Sequence, residues 1–283
     1  NVLGGFAGQM AFGHAALFGA GAYAAALLQV KLGLNPWIAA TLAIAIASAV
    51  ATFIALLAFR YGLKGSYFAL VTLAFAEVLR ILASSFQIFG GSQGVLVPYK
   101  VGLANLQFAQ RGETYAFLLG LVAAAMLVTL AVKRARFGAY LVAIRENEEA
   151  AKALGIDVFR CKVLAMALSG AISGAAGVAY LQTYLFVDAP VAFGPTMSVE
   201  ALLGPIIGGV GTIWGPLVGS LLLHMLGEAA KHLVQNAPGL NLVLYGVVLL
   251  AILRYLPDGL IGLVRKLGGQ AESASSTKGP RDA

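Results

Sequence analysis

Glu77 and Arg80 stand three residues apart inside a long apolar run, on one face of any helix that the run forms. That spacing suits an ion pair that neutralises both charges inside the fold, with a place on a solute path as the second reading. Gln9 and His14 sit in an apolar stretch crowded with Gly4, Gly5, Gly8 and Gly13. There they could hydrogen-bond backbone freed by a broken helix, or face a passing polar solute. His224 and Glu228, four residues apart, read as a further structural pair. Metal chemistry finds no support, because three scattered histidines and the single Cys161 offer no ligand spacing. No Gly-x-x-x-x-Gly-Lys-Ser/Thr phosphate loop occurs, so the chain cannot hydrolyse ATP itself, and no bound cofactor is expected.

The remaining chemistry lies in residues 133–162, the one long polar interval, with seven basic and four acidic residues. Within it Asn147 is an N-cap, Glu148 and Glu149 occupy a first turn, and Lys152 is four residues from Glu148. Gly155 stands where a helix would stop. A short capped helix of about two turns is predicted, which serves either as a wet loop or as a docking element. The flanking Lys133, Arg134, Arg136, Arg160 and Lys162 are read as anchors at a membrane surface.

The elements that must position these groups follow from composition. Of 283 residues, 60% are hydrophobic and 11% charged, well outside the range of soluble domains, which are about a quarter charged. The chain is expected to be all-α, a polytopic transmembrane helix bundle with about eight spans of roughly 20 residues each. Many of the 35 glycines stand inside apolar runs, so tight helix contacts and broken glycine-rich helices are expected. The spans are read at 2–30, 36–59, 66–89, 115–132, 163–186, 197–210, 213–234 and 240–256, with a long loop over 90–114. The small-residue series Ser169, Gly170, Ser173, Gly174 and Gly177 suits close helix packing. Residues 1–267 form one transmembrane domain, and the low-complexity tail 268–283 is expected to be disordered. The start at Asn1, without methionine and already within near-membrane sequence, is read as truncated.

Basic residues set the orientation. If spans alternate and 133–162 is cytoplasmic, fourteen Lys and Arg fall inside, four fall outside, and Arg80 lies in a span. The loop 90–114 is then external and the C-terminus cytoplasmic. A net charge of +7 is accounted for by those cytoplasmic loops and not by nucleic acid.

Three blocks carry a resemblance: GGFAGQMAFGHAALFGAGAYAAALL over 4–28, RENEEAAKALGIDVFRCKVLAMALSGAISGAAGVAY over 145–180, and LLGPIIGGVGTIWGPLVG over 202–219. Together they resemble the permease subunit of branched-chain amino acid ABC importers, of the M type. The resemblance implies an inner-membrane subunit that pairs with a second, H-type permease. It further implies two cytoplasmic ATP-binding subunits that use ATP and Mg, and a periplasmic substrate-binding protein. Glu149-Ala150-Ala151 with Gly155 is similar to the family's coupling motif. That similarity gives Arg145, Glu148, Glu149, Ala150, Ala151, Lys152 and Gly155 the ATPase-coupling role, with Glu149 departing from the apolar residue expected there. Gln9, His14, Gly208, Gly209 and Gly211 are the candidate path residues, because glycine-rich segments can expose backbone to a solute. Leu, Ile and Val are the expected substrates. Urea, short amides or other amino acids are alternatives within the family, and an ion-coupled secondary transporter is the alternative outside it.

Overall fold

The computed structural model describes residues 1–233 together with Gly246 and Arg254. The expected turn at 236–239, the span at 240–256 and the tail 268–283 therefore lie outside the described residues. The described chain is helical almost throughout, and residues separate into two compact units, Val2–Val199 and Asn1 with Glu200–Ala283.

A π-helical turn, Val2–Phe6, is followed by a break and then by α1, His14–Val30. Helix α2, Pro36–Arg60, starts cleanly because Asn35 accepts from the Trp37 N–H at 2.9 Å and Pro36 takes the first turn. Helix α3 covers Gly65–Ser85. Residues 87–105 then form short 3-10 turns and strand β1, Val95–Leu96, in keeping with a loop instead of a span. Helix α4, Arg111–Arg134, leads into α5, Arg136–Glu146, and α6, Glu148–Ala153. Helix α7, Val158–Tyr184, begins five residues before the expected start at 163, because the Asp157 carboxylate accepts from the Arg160 N–H at 3.0 Å. Strand β2, Phe186–Val187, pairs antiparallel with β1. The short α8, Ala189–Ala192, precedes α9, Pro195–Gly208, and α10, Gly215–Leu233.

In the unit Val2–Val199, α1, α2 and α7 pack against one another. Helix α2 buries Ala39, Ala43, Ala47, Ala51 and Ala55, one residue per turn, in this packing. A Cβ on Gly174 would run into Ala47, and one on Gly177 into the backbone of Phe18 in α1. The small-residue series in α7 thus lets both neighbours approach to backbone contact, as dispersion-driven packing in lipid requires. Helix α4 is the opposite case: most of it is exposed, and only Val132 is fully buried.

In the second unit, the part of α9 from Glu200 onward forms a close hairpin with α10. A Cβ on Gly208 would meet the Gly215 carbonyl, and one on Gly219 the Gly204 carbonyl, with Leu203, Ile207 and Leu223 buried beside them.

Among the described residues, five helical stretches are long and apolar enough to cross a membrane: Pro36–Arg60, Gly65–Ser85, Arg111–Arg134, Val158–Tyr184 and Ala189–Gly208. The chain is thus an all-α membrane bundle. Helix α1 is apolar but only 17 residues long, because the first segment is broken before His14.

Candidate functional site

Two helices, α5 and α6, lie within the polar interval, and the predicted short capped helix is the second of them. The short helix starts after Asn147, as its capping role predicts: Asn147 has an extended backbone (φ −156°, ψ 108°), and the segment 145–155 is shared between the end of α5 and α6. Arg145 closes the last turn of α5, while α6 starts at Glu148. The physical reason is the cap itself: the Asn147 side chain accepts from the N–H groups of Glu149 and Ala150 at 3.0 Å each, which requires a non-helical residue there. At the other end Gly155 has φ +79°, with Gly155 N–H donating to Lys152 O and Ile156 N–H to Ala151 O. This is the doubly bonded glycine stop of an α-helix.

The two adjacent glutamates of α6 face opposite ways. Glu149 is 75% exposed and pairs only along the helix, with Lys152 Nζ at 3.1 Å. Glu148 is 17% exposed and turns inward, where Lys162 Nζ donates at 2.8 Å and Lys64 Nζ lies at 3.1 Å. Lys162 is 3% exposed, with its ammonium 5.5 Å from the centre of the Phe59 ring. Lys162 is therefore not a membrane-surface anchor; the early start of α7 carries it into the interior. Burial pushes the Glu148 carboxyl up, but the bonds from Lys162 and Lys64 and their charges outweigh it and hold it down to about 2. The hydrogen bond to Glu149 raises the ammonium of Lys152 above its ordinary value. One carboxylate thus ties α6 to the start of α7 and to the turn between α2 and α3. Ala151 is the buried residue of α6, and Ala150 is exposed beside Glu149.

Arg145 is 37% exposed but reaches the first segment. Its Nη1 donates to the Gly5 carbonyl at 2.9 Å, while Nε and Nη2 donate to Glu146 at 3.1 and 2.6 Å.

The broken first segment is held from several sides. His14 Nδ1 donates to the Ala11 carbonyl at 2.8 Å, which leaves Nε2 facing the Ser169 hydroxyl at 3.3 Å. The buried Ser198 hydroxyl accepts from the Ala15 N–H at 3.0 Å and caps α1 where Gly13 has no side chain to offer. Gln9 Oε1 is buried and has no protein partner. In the second unit, Gly208, Gly209 and Gly211 make the turn between α9 and α10. Gly209 has φ +120° and Gly211 φ +78°, and Thr212 Oγ1 donates to Gly209 O while accepting from Gly215 N–H. Turn geometry explains these glycines, and they share no unit with Gln9 and His14.

Arg80 donates to Glu77 from Nε at 2.8 Å and from Nη2 at 2.5 Å. The pair lies within one helix, with the side chains 33% and 49% exposed, so it does not cross-link this chain's own bundle. His224 and Glu228 lie one turn apart on α10. Among the described residues no cluster of His, Cys, Asp and Glu could hold a metal.

Sequence reasoning missed the partners Lys64, Lys162, Gly5 and Ser198. Lys64 and Lys162 were visible as basic residues flanking the cytoplasmic side, but nothing local connected either to Glu148.

Comparison with known proteins bears on this arrangement. Residues 1–253 match the family described as the branched-chain amino acid transport system permease component. The chain is 27% identical, over 94% of its length and 66% of the relative, to the high-affinity branched-chain amino acid transport system permease protein LivM of Escherichia coli K12. It is 31% identical, over 70% of its length and 61% of the relative, to the probable LivM permease of Methanocaldococcus jannaschii. The probable LivH permease of the same archaeon is 27% identical over 67% of this chain and 58% of its own. The chain thus spans less than two thirds of the curated relatives it matches. No solved structure matches it.

Proposed function

The chain belongs to the family of branched-chain amino acid transport system permease components, and we propose that it is the transmembrane permease subunit of an ATP-driven importer carrying Leu, Ile and Val across the inner membrane. It performs no hydrolysis. Two cytoplasmic ATP-binding subunits supply the energy with ATP and Mg, a second H-type permease completes the pathway, and a periplasmic protein delivers substrate. The match to both LivM and LivH relatives supports the second permease.

The observation that carries this reading is α6: a capped helix presenting Glu149, Ala150 and Lys152 outward, on a segment joining two apolar spans of a chain in this family. We assign residues 145–155 as the coupling segment. Ala150, Lys152 and Glu149 form its outward face, Ala151 and Glu148 seat it, and Gly155 ends it. The full topology is eight crossings in a domain of residues 1–267, with a cytoplasmic tail at 268–283. The basic-residue distribution supports this orientation. Gln9 and His14 are the path residues best supported, since Gln9 retains a buried oxygen without a partner.

Co-purification tests the proposal. Two ATP-binding subunits and a homologous permease must accompany the chain from the membrane, and uptake of leucine by the complex must require ATP. Steady ATP-independent uptake by the isolated chain in liposomes would return it to the secondary transporters.

A further inference from the structure

Arg145 joins two backbones that are 140 residues apart. Its guanidinium reaches from the end of α5 to the carbonyl of Gly5, in the π-helical turn, at 2.9 Å. A turn of five residues leaves carbonyls without helical partners, so this acceptor has no substitute donor inside its own segment. Glu146 fixes the same guanidinium from the other side through Nε and Nη2. Gly8 completes the fit: it has φ +65°, and a Cβ there would stand 2.6 Å from Arg145 Cγ and 3.3 Å from its Cβ. The glycine therefore serves two needs, a left-handed backbone and room for the Arg145 stem. Beneath this bond the inner face of α5, with Leu141 and Ile144, shares one buried cluster with Val2, Leu3 and Phe6.

We propose that Arg145 is a positioning residue that latches the broken segment 2–13 to the cytoplasmic helix pair, so that displacement of α5 and α6 is transmitted to Gln9 and His14. The inference rests on the proposed function for the source of that displacement. Its chemistry is that of a charge-assisted bond to a backbone carbonyl, which cannot titrate and cannot be lost by side-chain variation at Gly5. With the side chain 37% exposed, Nη1 is engaged by the Gly5 carbonyl and Nε and Nη2 by the neighbouring Glu146.

The test uses the full complex in proteoliposomes, with Cys161→Ser and Met10→Cys, residue 10 being exposed within the broken segment. Thiol labelling at residue 10 is compared without nucleotide and with trapped ATP, beside leucine uptake per ATP hydrolysed. In the otherwise unaltered chain, labelling must change with nucleotide. Gly8→Ala displaces the Arg145 stem without removing a charge. It should abolish that change and lower uptake per ATP about tenfold, while the ATP-binding subunits co-purify in unchanged ratio. Arg145→Ala should do the same to labelling and uptake, and Arg145→Lys should restore part of both, since an ammonium can still donate to Gly5. If Gly8→Ala does not fold, Arg145→Ala carries the same readouts. Retention of the nucleotide-dependent labelling in Arg145→Ala overturns the latch. So does loss of the ATP-binding subunits from Arg145→Ala with Gly8→Ala unaffected, because Arg145 would then be a partner contact. Failure of the unaltered chain to retain any ATP-binding subunit overturns the functional reading, and the latch with it.

Discussion

Two neighbouring glutamates with the same charge do different work because one points to water and the other to Lys162. Removing a carboxylate from a buried lysine costs more than the pair is worth, since the ammonium stays desolvated and unpaired. Glu148→Gln is therefore expected to destabilise the chain by about 2–4 kcal/mol in thermal unfolding. Combining it with Lys162→Met should recover much of the loss. Glu149→Lys removes only an exposed pair, so its effect on unfolding should stay within about 0.5 kcal/mol. It should nevertheless abolish stimulation of the partner ATPase. The Glu148 carboxyl also sets a pH window. Its folded value lies below the ordinary 4.5, at about 2, so its contribution is fully present above about 4.5 and is lost as pH falls toward 2. Unfolding measured across that range should lose stability in the unaltered chain and change less in Glu148→Gln.

At the scale of elements, α6 is too short to persist without its two ends. Asn147→Ala removes a side chain that satisfies two N–H groups, and Gly155→Ala places a Cβ at φ +79°. Each should cost about 1 kcal/mol of helix stability, read as faster amide exchange over 148–153. Helix α7 offers a sharper contrast. Gly174→Leu would drive a side chain into Ala47 of α2, and a cost above about 3 kcal/mol should appear as failure to accumulate in the membrane. In α4, a Cβ at Gly120 meets nothing within 4 Å. Gly120→Ala should leave the isolated chain unchanged or stabilise it by about 0.5–1 kcal/mol.

For the whole molecule the expectation concerns sidedness. With α6 in the cytoplasm, a cysteine replacing Lys100 should react with a membrane-impermeant thiol reagent added outside intact cells. A cysteine replacing Lys152 should react only after the membrane is opened. Labelling of residue 152 from outside would invert the topology and remove the basis for docking an ATP-binding partner on α6.

What the sequence determined by itself was local. Hydrophobic runs with few charges impose helices that must lie in a bilayer, because lipid offers their backbones no other hydrogen-bond partner. Asn147 and Gly155 mark the ends of α6 through bonds and dihedrals that reach no more than a few residues. Gly170, Gly174 and Gly177 announce a close seam by size alone. Glu77 and Arg80 meet because three residues span one helical turn. Only the tertiary structure decided which way Glu148 and Arg145 face, that Lys64 and Lys162 converge on one carboxylate, and that Ser198 caps α1 from 183 residues away. Those pairings depend on how helices cross, and a crossing is chosen by packing over whole faces. No spacing along the chain encodes it.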